Sequence, residues 1–258
     1  MFHIAANTFK EFIRMKVIYA ILFFSILLVF FSLVLAKLSI NQGTKIILDF
    51  NFAIIEIFGL ITTLFLGSYL LYNEINKKTI LLVLSKVKSR ASFVLGKYLW
   101  FAGLLLFMYV FLTLAFIGVC LIQGMVFEFA YIQVLILSYL KILVVLAFIM
   151  FFSSFMSPFL GLVCSLLIYL IAHSTPFMLY YVIGSKTIPE WGIAHQVMKI
   201  VYYTFPNFHD LSMKEFLFSP HLSAYTDFHF ILSTVGGGLA YVALLLSFSV
   251  ILFTKKEF

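Results

Sequence analysis

The chain has 258 residues, of which 64% are apolar, 19% aromatic and only 10% charged, with a net charge of +7. Soluble domains carry about 25% charged residues, so too few charges remain to clothe a water-facing surface around a core, and a separate soluble domain is excluded. The positive balance would suit nucleic acid, but no basic groove interleaved with stacking aromatics accompanies it, and no nucleic-acid partner is expected.

A membrane-spanning helix needs roughly 20 mostly apolar residues. Residues 2–15 precede the first such run. Phe2, Ile4, Phe9, Phe12 and Ile13 share one helical face, with Asn7, Lys10, Glu11 and Arg14 largely off it. This pattern predicts an amphipathic helix lying in the membrane interface; the plainer alternative is an extension of the first span. That span is Val17–Ala36, free of charge. Lys10, Arg14 and Lys16 followed by this run have the outline of a signal peptide, with Val34-Leu35-Ala36 as a weak cleavage site. The run is longer than the usual stretch of about 7–15 residues, so an uncleaved first span is expected.

A short loop over Lys37–Asp49 leads to the second span, Phe50–Tyr72, which contains Glu56. The segment Asn73–Lys97 then reads NEINKKTILLVLSKVKSRASFVLGK. Its apolar centre, Ile80–Leu84, is flanked by charge, and Ser89 is a candidate N-cap. One or two short helices packed under the membrane are expected, exposing a basic surface. Scattered lysines would serve lipid headgroups; a compact basic surface would dock a soluble partner.

The third span is Tyr98–Ile122, and a tight turn around Gln123, Gly124 and Glu128 leads to the fourth, Phe129–Phe155, which contains Lys141. Ser153–Pro158 is a short turn whose proline suits the first turn of the next helix. The fifth span, Phe159–Ile183, is interrupted by His173-Ser174-Thr175-Pro176. A proline kink is the structural reading, and a proton-relay histidine the functional one.

Residues 184–227 form the one sizeable loop on the far side. A helix start at Pro189-Glu190, helical spacing from Trp191 to Val201, and a break at Phe205-Pro206-Asn207 predict an interfacial helix. His195, His209, His221 and His229 gather here near Asp210 and Asp227, but no metal-binding spacing links them, and no metal is expected. The sixth span, Phe230–Thr254, carries three glycines; Gly236 with Ala240, or Ser233 with Gly237, gives the spacing that lets helices approach closely.

The runs are long and continuous, not the short alternating segments of a barrel. The expected architecture is therefore all-α: one polytopic domain over 1–258, with six spans, the interfacial lead helix and short coupling helices. With the amino terminus inside, the lead segment, the 73–97 loop and the tail hold eleven of the seventeen lysines and arginines. By the positive-inside rule both termini are cytoplasmic.

Glu56 and Lys141 are the intramembrane charges, both placed toward the outer half of the bilayer. Such residues are functional candidates because an unpaired charge in hydrocarbon is costly. Glu56 lies near a span end, within reach of water, and Lys141 has a stem long enough to snorkel; the alternative is that they pair. Cys120 and Cys164 lie singly in uncharged spans and read as small apolar residues. Serine-hydrolase, zincin and P-loop signatures are absent: Gly96-Lys97 lacks the upstream glycine and the following hydroxyl residue.

Three stretches carry a resemblance: ANTFKEFIRMKVIYAILFF, LGSYLLYNEINKKTILLVLSKVKSRASFVLGKYL and YYTFPNFHDL. Together with the six-span layout they resemble permease subunits of ATP-binding-cassette transporters of the type-2 exporter class, in the branch grouped with multi-copper-enzyme maturation permeases. The resemblance places Glu74 and Thr79 at the acidic and threonine positions of a coupling segment, Lys77 and Lys78 at its basic place, and Ser89, Arg90 and Gly96-Lys97 in its later part. Asn76 and Lys78 depart from the commoner pattern of a second acid and a glycine. The resemblance implies a bacterial inner-membrane protein that binds no cofactor itself. A separate cytoplasmic ATPase would bind ATP and Mg, and a second permease chain would complete the unit as a homodimer or heterodimer. Two other readings compete. A membrane-embedded lipid-modifying enzyme needs acids or histidines clustered at the interface, which ten scattered acids do not supply. The other is a scaffold subunit with no pathway.

Overall fold

The computed structural model describes residues 17–38, 43–76, 90–174, 193–212 and 228–255. Among them there is no strand. Seven helices and a short 3-10 turn follow in order: α1 (Val17–Leu38), α2 (Gly43–Asn76), α3 (Arg90–Ile122), α4 (Phe129–Ser153), α5 (Pro158–His173), α6 (Ile193–Thr204), the turn Asp210–Ser212, and α7 (Phe228–Lys255). Four helices are long and apolar enough to cross a membrane, through Gly43–Phe65 of α2, Ala91–Ile122 of α3, all of α4, and His229–Thr254 of α7. Shorter apolar stretches lie at Phe23–Leu35 in α1 and over α5. The chain is thus an all-α membrane protein. The expected lead helix, 2–15, and the middle of the coupling segment, 77–89, lie outside the described residues.

Several helix boundaries follow from local chemistry. α2 begins at Gly43, inside the loop expected over Lys37–Asp49, because the apolar stripe starts early: Ile47, Leu48, Asn51, Phe52 and Ile55 recur at helical spacing and are buried. Residues 73–76 and 90–97 continue α2 and α3 directly; they are not separate coupling helices. α3 closes in a Schellman motif. The Met125 N–H donates to the Cys120 carbonyl at 2.9 Å and the Gly124 N–H to that of Leu121 at 3.2 Å. Gly124 takes φ +65°, the left-handed conformation that this cap requires and that glycine adopts without a Cβ clash. Pro158 opens α5 in its first turn, where its missing N–H costs nothing. α5 then stops at His173. Pro176 follows three residues later; it has no N–H for the helix and disfavours helical geometry in the residue before it. The rest of the expected fifth span, 175–183, lies outside the described residues.

α4 is the central helix. It packs against α2, α3, α5, α7 and the 3-10 turn, while α1 lies on α2 and α3. Hydrogen bonds stitch these contacts, as suits helices that gain little hydrophobic drive from one another in lipid. Tyr98 donates to the Leu143 carbonyl (3.0 Å) and Tyr139 to that of Ala102 (2.8 Å), joining α3 and α4 from both sides. Ser154, just past α4, meets Ser249 of α7 at 2.8 Å. The Asn51 amide donates to Ser32 of α1 at 2.9 Å. The glycine that brings α7 onto α4 is Gly238, where a Cβ would lie 2.9 Å from Leu140. Gly236 and Gly237 face open space, and Ala240 is exposed. Among the described residues, nothing lies against the stripe expected to pack.

Candidate functional site: a buried charge cluster

Lys141 is at the midpoint of α4 and is wholly enclosed, at 0% exposure. It lies twelve residues, about 18 Å, from the end of α4 at Ser153. At this depth the ammonium cannot shed its charge to water, and it does not snorkel. Its partner is Glu56 of α2, itself buried, whose Oε1 accepts a hydrogen bond from Lys141 Nζ. The two intramembrane charges therefore pair, and neither reaches water. A closed ion pair avoids the cost of an unpaired charge in hydrocarbon.

The rest of the cluster surrounds the ammonium with further partners. An ammonium has three N–H donors, and among the described residues three groups converge on it: Glu56 Oε1, Ser212 Oγ at 2.6 Å and His173 Nδ1 at 3.4 Å. The rings of Tyr169 and Phe208 face it, with centroids 5.2 and 5.7 Å from Nζ, within range of cation–π attraction. Tyr169 also donates its hydroxyl to Glu56 Oε1 at 2.8 Å, and its ring stacks on that of His173, 5.9 Å away and 6° from parallel. Because a lysine ammonium only donates, the His173 ring meets it with the Nδ1 lone pair, which assigns the ring proton to Nε2.

Each part is positioned by a local feature. α5 ends at His173, about 22 Å above its start, and so places its last ring beside the centre of α4. The chain comes back to this level after α6. The Phe208 N–H donates to the carbonyl of Ala172 at 3.3 Å, satisfying an acceptor that the helix end leaves open. Asn207 fixes this return. Its Oδ1 accepts from the His209 N–H at 3.1 Å, and its Nδ2 donates to Asp210 Oδ2 at 2.7 Å, an Asx turn. Asp210 is half-buried, and burial pushes its carboxyl up from the ordinary value, with His209 nearby opposing the shift. Leu211 and Ser212 are consequently packed into the bundle.

On the far side of the pair, Tyr109 of α3 meets Ser138 of α4 at 3.3 Å. It reaches there because Gly59, one turn beyond Glu56, has no side chain: a Cβ on Gly59 would lie 2.8 Å from the Tyr109 hydroxyl.

Of the residues singled out from sequence, Glu56, Lys141 and His173 thus come together. Glu74 and Arg90 are placed only by their backbone, on the ends of α2 and α3, and Lys77, Lys78, Thr79 and Ser89 lie outside the described residues. His195 is buried in α6, His229 is exposed on α7, and His221 lies outside the described residues. Among the described residues no three potential metal ligands converge. Both cysteines are free thiols. The sequence reading missed Tyr169, Phe208 and Ser212. Tyr169 was signalled by its position four residues before His173, on the same helical face. Nothing local marks Ser212, which is 71 positions from Lys141.

Comparison with known proteins adds no relative: no family model, no curated protein and no solved structure matches the chain.

Proposed function

We propose that the chain is the permease subunit of an ATP-driven transporter of the type-2 exporter class, working as one of a pair in a bacterial inner membrane. Six spans and an interfacial lead helix hold it there, with both termini in the cytoplasm, and a separate ATPase docks on the 73–97 segment. The observation that carries the proposal is the mounting of that segment. α2 has 34 residues and α3 has 33, or about 50 Å each, against a hydrocarbon core of about 30 Å. Two helices that overshoot the bilayer therefore lead into and out of a basic stretch containing Lys77, Lys78, Lys86, Lys88 and Arg90. Such a mount transmits the displacement of a docked partner along rigid rods to the buried cluster, since α2 carries Glu56.

In this role the chain converts movement at the 73–97 end into rearrangement of its spans, with ATP and Mg held by the partner. The test is isolation of the full chain with its native partners. An ATPase is expected in the complex, together with a second spanning chain. Glu74→Ala and Arg90→Ala should each lower ATPase stimulation while leaving assembly intact. A complex with no ATPase, or with a single spanning chain, would sink the proposal.

A further inference from the structure

The cluster connects an enclosed ion pair to the surface through one side chain. Lys141 and Glu56 are buried, whereas His173 is exposed. With the ring proton on Nε2, the free lone pair of His173 is on Nδ1, 3.4 Å from Lys141 Nζ. A second ring proton can only go to Nδ1. It removes the lone pair that accepts from the ammonium and sets two cations side by side. The neutral contact and the protonated ring are therefore mutually exclusive. Histidine is also the side chain whose ordinary titration falls near neutral pH.

The same contact neighbours the attachment of the returning turn. Lys141 donates to Ser212, and Phe208 packs over its ammonium. The Phe208 N–H is bonded to Ala172, the residue before His173. Two of the turn's hydrogen bonds thus adjoin the imidazole. Lys141 of α4 and Tyr169 of α5 face the ring directly; Glu56 of α2 stands behind them, bonded to both, and the titratable groups of the nearby turn are His209 and Asp210. Glu56 is the sole anion in contact with the ammonium among the described residues, and it is already shared between Lys141 and Tyr169.

We propose that His173 is a proton-binding site that controls the attachment of Phe208–Ser212 to the bundle. With His173 neutral, Lys141 holds Ser212 and the turn is docked. When a proton from water binds Nδ1, the ring turns away from Lys141, the ammonium shifts toward Glu56, and the turn is released. Lys141 keeps its proton and Glu56 stays paired, so one proton is bound and no other bond changes. The proposal goes beyond the permease reading and does not depend on an ATPase partner.

The test uses the full chain in lipid nanodiscs. Leu211, 2% exposed, is replaced by cysteine in a Cys120→Ala/Cys164→Ala background, and its alkylation rate is divided by that of Tyr203→Cys, an exposed control. The ratio cancels the pH dependence of thiolate formation. Between about pH 7.5 and about pH 5.5, the range over which histidine ordinarily titrates, the ratio should rise about five-fold. With His173→Gln, whose amide oxygen still accepts from Lys141, it should stay flat. Hydrogen exchange of residues 205–212 in the unmodified chain, corrected for intrinsic pH dependence, should show the same rise, which guards against damage from the cysteine. A flat ratio with unchanged exchange, or an equal rise in His173→Gln, would overturn the proposal.

Discussion

Replacing Lys141 by methionine removes one half of an enclosed ion pair while keeping the volume of the side chain. Glu56 would keep the Tyr169 hydroxyl at 2.8 Å as a partner, and Ser212 would lose the ammonium it now accepts from. Breaking a buried pair from one side costs about 3–5 kcal/mol, because the surviving charge is left uncompensated. Two aromatic contacts at 5.2 and 5.7 Å also disappear, each worth about 0.5–2 kcal/mol. The carboxyl of Glu56 will take up a proton before it bears the full cost of an isolated charge, which holds the total near the range for a broken pair. Removing both charges, as in Glu56→Leu/Lys141→Met, should recover most of the loss, since apolar residues of similar size replace buried pairs at little cost. Reversible unfolding in mixed micelles, with both single variants and the double, gives the coupling energy directly. It should exceed about 2 kcal/mol, with the double variant more stable than either single. Single variants within about 0.5 kcal/mol of the parent, or losses that simply add, would refute the closed-pair account.

Other perturbations probe the supports of the cluster. Gly59→Ala places a methyl group 2.8 Å from the Tyr109 hydroxyl, and the displaced ring should cost about 1–3 kcal/mol in the same unfolding assay; a neutral result would mean that Tyr109 does not need this gap. Gly124→Ala forces a side chain onto φ +65° and should cost about 1–2 kcal/mol, with Gly124→Asn losing less because asparagine tolerates this conformation. Equal losses for the two would argue against the Schellman cap. Asp210→Asn addresses pH. The native carboxyl binds its proton more tightly than the ordinary value of 3.8, so the folded state gains stability as pH falls through the window just above that value and loses it as pH rises through the window. The stability difference between parent and Asp210→Asn should show this negative slope with pH, and a positive or zero slope would contradict the burial of Asp210.

The buried cluster joins two distant parts of the chain. Glu56 belongs to the long α2, whose far end enters the 73–97 segment, and Ser212 belongs to the turn that returns after α6. Lys141 bonds to both. A shift of α2 along its axis would therefore strain the hold on the turn, and loss of the turn would take the Ser212 acceptor from the ammonium.

Much of the architecture was legible in the sequence for direct physical reasons. Continuous apolar runs in a chain with 10% charge admit lipid as solvent and helices as the form. Gly124 and Pro158 mark helix ends because backbone conformation and the missing proline N–H act locally. The two intramembrane charges declared themselves as costly wherever they lay. Their resolution did not follow from sequence. Read alone, Glu56 could reach water and Lys141 could snorkel, because each residue's exposure is a property of the helices around it.

Tertiary packing decided that α4 is central, that α5 ends beside the middle of α4, and that the chain comes back at Phe208–Ser212 to fill the place above it. Among the described residues it set the close contact of α7 with α4 at Gly238, about 100° around the helix from Gly237. The sequence thus determined that a cation and an anion in hydrocarbon must each find a partner. Only the fold decided that they find one another, across 85 positions, and that His173 and Ser212 complete the set, because long-range contacts depend on the shapes of whole helices and not on any local signal.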